Sequence, residues 1–210
     1  MKPLLIYGAS YAGTLKMIRA INERHPTYEV IGYVDDAKFG KEPEYMGLPI
    51  LGGQEYLNTW GAQDGEVLNN VYATTPGRKT VTERILASGR PMATLVHPDV
   101  DTAFSTIGAG CLVMAGVDMG VNAALADHAA VKMNSVISHD CQIGCYVFVG
   151  PGAVICGHVR IEEGAYIGAG ALIKERLTIG AWSVVGMGAC VIRDVEPNTT
   201  VAGNPARLLR

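Results

Sequence analysis

From Ile107 onward an aliphatic residue or methionine returns at every sixth position. Ile107, Val113, Met119, Leu125, Val131, Ile137, Ile143, Val149, Ile155, Ile161, Ile167, Ile173, Ile179, Val185 and Val191 mark fifteen consecutive steps without a slip. Four places after most of them stands a small residue, such as Cys111, Ala123, Ala129, Ser135, Cys141, Ala153, Ala165, Ala171, Ser183 or Ala189. Glycine often follows the aliphatic directly, as at Gly108, Gly120, Gly144, Gly150, Gly168, Gly180 and Gly186. Neither the helical period of 3.6 nor the strand period of 2 generates such a pattern. One large inward residue, one small inward residue and a tight corner every six positions predict a hexapeptide β-helix. Three hexads close one triangular coil, so the fifteen hexads make five coils.

Residues 1–97 follow a different pattern. "LLIYG" is a short apolar run ending in glycine and predicts a buried strand. Leu15, Ile18 and Ile21 recur at helical intervals between about Ala12 and Arg24. "YEVIGYVDD" predicts a second strand with acids at its end, "EVLNNVYAT" a third, and "MATLVHP" a fourth. A helix is expected over Lys79–Ser88. Strand–helix alternation implies a small parallel sheet with helices on its faces, and ligands of such sheets bind at the carboxyl ends of the strands. The chain is therefore divided into an α/β domain, 1–97, and a β-helix domain with a C-terminal tail, 98–210.

Composition narrows the function classes. Of 210 residues, 49% are apolar and 18% charged, enough for packed cores. A net charge of −3 gives no general attraction to nucleic acid or anionic membrane, and neither is expected as a partner. No run of eighteen apolar residues occurs, and the start carries no signal-peptide pattern, so a cytoplasmic location is expected. The five cysteines, Cys111, Cys141, Cys145, Cys156 and Cys190, are odd in number and form no C-x-x-C pair. They read as small buried thiols in a reducing compartment, not as a structural zinc site.

Two stretches carry candidate chemistry. "GASYAG", Gly8 to Gly13, lies between a strand and a helix, where backbone N–H groups and glycines favour an anion. Its spacing is neither the dinucleotide fingerprint nor a P-loop. Asp35 and Asp36 end the next strand, where acids can accept hydrogen bonds from a ribose or a base edge. The second stretch is "VISHDCQIG". With coils of 18 residues, His139 stacks between Val121 and Gly157, and Asp140 between Asn122 and His158, about 4.8 Å per coil. A neutral histidine with a reference pKa of about 6.5 suits a general base, and a carboxylate orients the ring and stabilises its charged form. Asp140 reaches the ring of its own neighbour only if the backbone bends there. His25, His97, His128 and His158 read as structural or surface residues.

"IYGAS", "GYVDD", "GLPILG", "LVHPDV", "ISHDCQIG" and "VAGNPARLLR" span nearly the whole chain. In this order they resemble the sialic acid O-acetyltransferase and nucleotide-4-amino-sugar N-acetyltransferase family. The resemblance implies a small Rossmann-like parallel sheet followed by a left-handed parallel β-helix. It also implies acetyl-CoA-dependent transfer to a nucleotide-linked amino sugar, with His139 as general base and Asp140 as its partner. Gly8, Ala9, Ser10, Tyr11, Asp35 and Asp36 then hold the nucleotide sugar, and Phe148, Ala169 and Met187 hold acetyl-CoA. No metal is expected. A homotrimer with sites between subunits is implied, serving surface-polysaccharide or glycoprotein-glycan assembly. The sequence departs from the family at Tyr11 and Ala12, where it usually has a second glycine and a histidine, and at Phe148, which replaces a polar ring. Alternatives are O-acetylation of a sugar hydroxyl, a non-catalytic nucleotide-sugar-binding protein, and a zinc hydratase using His128, His139 and His158.

Overall fold

The computed structural model describes residues 1–61 and 65–209 and divides into two compact units, Met1–Thr94 and Leu95–Arg210. In the first unit, β1 (Lys2–Tyr7), α1 (Gly13–Arg24), β2 (Tyr28–Val34), β3 (Glu44–Tyr45), β4 (Leu48–Gly52), α2 (Tyr56–Thr59), β5 (Glu66–Asn69) and α3 (Thr75–Ala87) follow one another. The sheet order is β3-β4-β2-β1-β5; β4, β2, β1 and β5 are parallel, and β3 closes an antiparallel hairpin on β4. Leu4, Leu5 and Ile6 are fully buried, as a strand covered on both faces requires. Helix α3 starts four residues before the expected Lys79. The Thr74 hydroxyl accepts a hydrogen bond from the Gly77 N–H, and Pro76 suits a first turn whose N–H groups have no helical partner.

"MATLVHP" does not form a fourth strand of this sheet. Met92 makes one parallel bridge to Val67, whereas Leu95–Val96 pairs with Leu112–Val113 in the second unit. The division thus falls three residues earlier than the sequence pattern placed it.

The second unit contains fifteen consecutive two-residue strands, from Thr106–Ile107 to Cys190–Val191, one per hexad. They lie in three parallel sheets. The first face runs 106–107, 124–125, 142–143, 160–161, 178–179; the second includes 112–113, 130–131, 148–149, 166–167, 184–185; the third runs 118–119, 136–137, 154–155, 172–173, 190–191. Partners are 18 residues apart throughout, as in Val136↔Val154 and Phe148↔Tyr166. The aliphatics counted in the sequence form one continuous core with the small residues between them, and Ser135 and Ser183 are buried in the same row. Two cysteines, Cys111 and Cys141, are buried; Cys145, Cys156 and Cys190 are only partly so, because the last two face outward and the first sits at a corner.

The corners obey a rule that the glycines obscured. The third residue after every inward position but the last, Val191, has a left-handed backbone, from Gly110 (φ 65) through Asn134 (φ 57), Asp140 (φ 59) and His158 (φ 60) to Gly188 (φ 65). Asn and Asp tolerate this conformation better than other side chains. The glycines directly after the aliphatics serve a different need. A Cβ on Gly150 would lie 2.6 Å from the backbone N of Ala169, and one on Gly168 2.6 Å from that of Met187. Gly150, Gly168 and Gly186 therefore allow close approach of one coil to the next.

Candidate active site

His139 and Asp140 occupy the corner that leads from the third face to the first. The left-handed backbone of Asp140 turns its carboxylate back onto the preceding ring, so that His139 Nδ1 stands 2.8 Å from Asp140 Oδ2. This is the bend that the adjacent pair requires. Asn122, one coil below, donates from Nδ2 to Asp140 Oδ1 at 3.2 Å. His158, one coil above, places its Nδ1 3.8 Å from Asp140 Oδ2 and its ring edge-on to His139, centroids 5.0 Å apart at 89°. The hydrogen bonds from His139 and Asn122 hold the Asp140 carboxyl below the usual carboxylate range, with the nearby histidines adding to the effect. The His139 side chain is 56% exposed, so an acceptor can reach it. Its Nε2 lies over Gly157, 2.6 Å from where a Cβ would stand.

Asn122 and His158 thus join the pair foreseen from the sequence. The signal for them was the 18-residue column that carries Asn122, Asp140 and His158. His128 belongs to another corner, where its ring stacks on Tyr146 at 5.3 Å. The three histidines of a zinc hydratase are therefore not assembled within the chain.

The expected donor residues occupy other parts of the β-helix. Phe148 lies on the second face, stacked on Tyr166 at 4.7 Å and 12°, and is only 6% exposed. Ala169 and Met187 succeed each other on the corner between the second and third faces, and Met187 is 80% exposed. One chain does not place these three beside His139, because a full face separates their corner from his imidazole's corner.

In the first unit the loop after β1 is tightly built. The Asn70 amide donates to the carbonyls of Gly8 (2.8 Å) and Tyr11 (3.0 Å), and its oxygen lies 3.2 Å from the Thr14 hydroxyl. Gly8 has φ 104 and is buried with Ala9, while Ser10 is exposed. Tyr11 folds over Gly13, the first residue of α1, and meets Tyr72 edge-on at 5.7 Å. Both acids have protein partners. Asp35 accepts from the backbone N–H groups of Ala9, Ala37 and Lys38 at 2.8–3.0 Å. Asp36 accepts from the Tyr7 hydroxyl (2.6 Å), the Gln54 N–H (2.7 Å) and Arg84 (3.2 Å). Burial and the Asp36 hydrogen bond push the Tyr7 hydroxyl up to about 12.

Known proteins resemble this chain at three levels. The pattern of the family described as "Bacterial transferase hexapeptide (six repeats)" matches residues 140–175. GDP-perosamine N-acetyltransferase of Escherichia coli O157:H7 is 36% identical over 185 residues, covering 85% of this chain and 81% of that protein. Among solved structures, the acetyltransferase domain of PglB from Neisseria gonorrhoeae FA1090, in complex with acetyl coenzyme A, superimposes with a TM-score of 0.88 at 30% identity over 99% of both chains. PerB from Caulobacter crescentus, in complex with CoA and GDP-perosamine, gives a TM-score of 0.88 at 25% identity, covering 100% of this chain and 98% of that one. These likenesses bear out the expected left-handed β-helix.

Proposed function

The chain belongs to the nucleotide-amino-sugar N-acetyltransferase family of hexapeptide-repeat proteins, and on that premise we propose that it moves the acetyl group of acetyl-CoA to the amine of a nucleotide-linked sugar, with His139 as general base. A GDP-linked 4-amino sugar is the first acceptor to test, because the E. coli relative is a GDP-perosamine N-acetyltransferase. The observation that carries the reading is the His139–Asp140 contact of 2.8 Å at a left-handed corner. With the Nδ1 proton donated to Asp140, the lone pair is on Nε2. As the sugar nitrogen attacks the thioester carbonyl, Nε2 takes the proton that the nitrogen loses; the C–S bond breaks and the CoA thiolate leaves with a proton from solvent or the imidazolium. Asp140 stabilises the imidazolium, and its depressed pKa keeps it anionic for that role.

Gly8, Ala9, Ser10 and Tyr11 are proposed to hold the nucleotide sugar, and Asp35 and Asp36 to build its crevice. Asp35 does so by fixing the Ala9 N–H, and Asp36 by tying β1, β4 and α3 together. Phe148, Ala169 and Met187 are proposed to take acetyl-CoA. Their separation from His139 within one chain supports a homotrimer in which one subunit offers the base and its neighbour part of the donor site. No helix of the described residues is long and apolar enough to cross a membrane. The proposed chemistry, on nucleotide-activated sugars and acetyl-CoA, supports a cytoplasmic location.

The test is thiol release from acetyl-CoA with UDP-, GDP- and dTDP-linked 4-amino sugars, comparing wild type with His139→Ala. Release that depends on one sugar and is abolished in the variant is the expected result; equal rates would remove His139 from the chemistry. Tyr11 folded over Gly13 and the buried Phe148 favour a second reading, a binding protein without turnover. Absence of thiol release with every sugar of the panel would support it.

A further inference from the structure

Three donors of different residues converge at the corner that carries the base. His139 Nδ1 and Asp140 Oδ2 are 2.8 Å apart, His158 Nδ1 and Asp140 Oδ2 are 3.8 Å apart, and one ligand atom from each of the three residues lies within 4.8 Å of the others. Metal bonds of about 2.0–2.2 Å to imidazole nitrogen and carboxylate oxygen separate neighbouring ligands by roughly 3.0–3.5 Å. The 2.8 Å and 3.8 Å separations need adjust by less than about 1 Å, and a separation at the 4.8 Å limit closes to that spacing by about 1.3–1.8 Å, within reach of rotation about the exposed side chains. We propose that His139, Asp140 and His158 bind a divalent transition-metal ion of the zinc class, and that the bound ion is an inhibitor, not a cofactor.

The surroundings suit an ion. Asp140 and His158 are one coil apart in a column whose backbone is pinned by the hydrogen bond from His158 N–H to the His139 carbonyl at 3.0 Å. Asn122 holds Asp140 by its other oxygen, Oδ1, which leaves Oδ2 to the ion and fixes the carboxylate plane from a second layer. Gly157, between the two histidines, has no side chain to crowd the site. All three side chains are partly exposed, so water can complete the coordination. Two imidazoles and one carboxylate select Zn²⁺, Co²⁺ or Ni²⁺ over the oxygen-seeking Mg²⁺ and Ca²⁺.

The inhibitory consequence rests on the proposed role of His139 as base. A neutral imidazole has one proton and one lone pair. When the ion takes the lone pair at Nδ1, the proton that lay between Nδ1 and Asp140 moves to Nε2. The ring then has nothing at Nε2 with which to accept a proton from the sugar amine.

The test is a Co²⁺ titration of the full chain followed by visible d–d absorption, with the near-ultraviolet thiolate band reporting any of the five cysteines. Wild type is compared with His158→Gln and with Asp140→Asn, each checked for fold by circular dichroism. Wild type should bind one equivalent without a thiolate band, and both variants should weaken it by about tenfold or more. Acetyl transfer by wild type should fall with occupancy and return with EDTA. Unaltered Co²⁺ binding in both variants would overturn the site. If the equivalent is bound and lost as expected while transfer ignores it, the site stands and both the inhibition and the base role of His139 fall.

Discussion

Replacing Gly157 by alanine adds one methyl group where the imidazole of His139 lies. A Cβ there would meet His139 Nε2 at 2.6 Å, Cε1 at 2.7 Å and Cδ2 at 3.2 Å. Contacts of this kind settle near 3.5 Å, so the ring must withdraw by about 1 Å. The backbone does not oppose the change, because the left-handed position at this corner is His158 and not Gly157. Glycine-to-alanine changes at compatible sites add about 0.4–1 kcal/mol of stability through the unfolded chain, so the fold should be kept or slightly strengthened. Withdrawal lengthens the 2.8 Å contact with Asp140 and misplaces Nε2. A displacement of that size costs about 100-fold in rate, or roughly 2.7 kcal/mol of barrier. The assay is kcat by thiol release, with thermal unfolding measured in parallel. A kcat within about threefold of wild type, at unchanged or higher Tm, would refute the claim that the ring works from this position.

Asn70→Ala removes the amide that ties Gly8 and Tyr11 to the end of β5. Leaving those buried groups without it costs about 2–3 kcal/mol of stability. KM for the nucleotide sugar should rise several-fold with KM for acetyl-CoA unchanged, and equal shifts in both would detach this loop from the nucleotide. Burial pushes the hydroxyls of Tyr7, Tyr28 and Tyr33 up to about 12, helped by Asp36 at Tyr7 and by Glu66 at Tyr28. A folded pKa above the unfolded value of about 10 means that this stabilisation is complete below pH 10 and is lost as pH climbs toward 12. The share of tyrosinate absorbance owed to these three should therefore appear only together with loss of helical ellipticity; ionisation of all nine tyrosines with ellipticity intact would contradict the assignment.

The β-helix was legible because its signal is a phase. A row of fifteen aliphatics names its own inward side, and addition of 18 finds the stacked pair Phe148 and Tyr166 without any coordinates. The same sum finds His158 above Asp140. Leu95–Val96 escaped because its partners in Leu112–Val113 lie 17 residues on, one short of the period. The turn at Asp140 escaped because the left-handed position is shared among Gly, Asn, His, Tyr, Arg and Trp, so no single residue type marks it. The acids Asp35 and Asp36 stand where sheet ligands are expected. Only the three-dimensional arrangement shows their oxygens taken by N–H groups from three separate segments and by Tyr7 and Arg84. The hairpin of β3 on β4 rests on a two-residue strand, too short to carry any periodicity.

A three-sided winding that returns to the same side after 18 residues makes length a counted quantity. Six extra residues anywhere below His139 would swing the imidazole by a third of a revolution onto a different edge. Eighteen would leave it on its edge and lift it one storey, by about 4.8 Å. Natural or engineered variation in this stretch should come in whole turns, because any other increment scrambles every vertical neighbour above it at once.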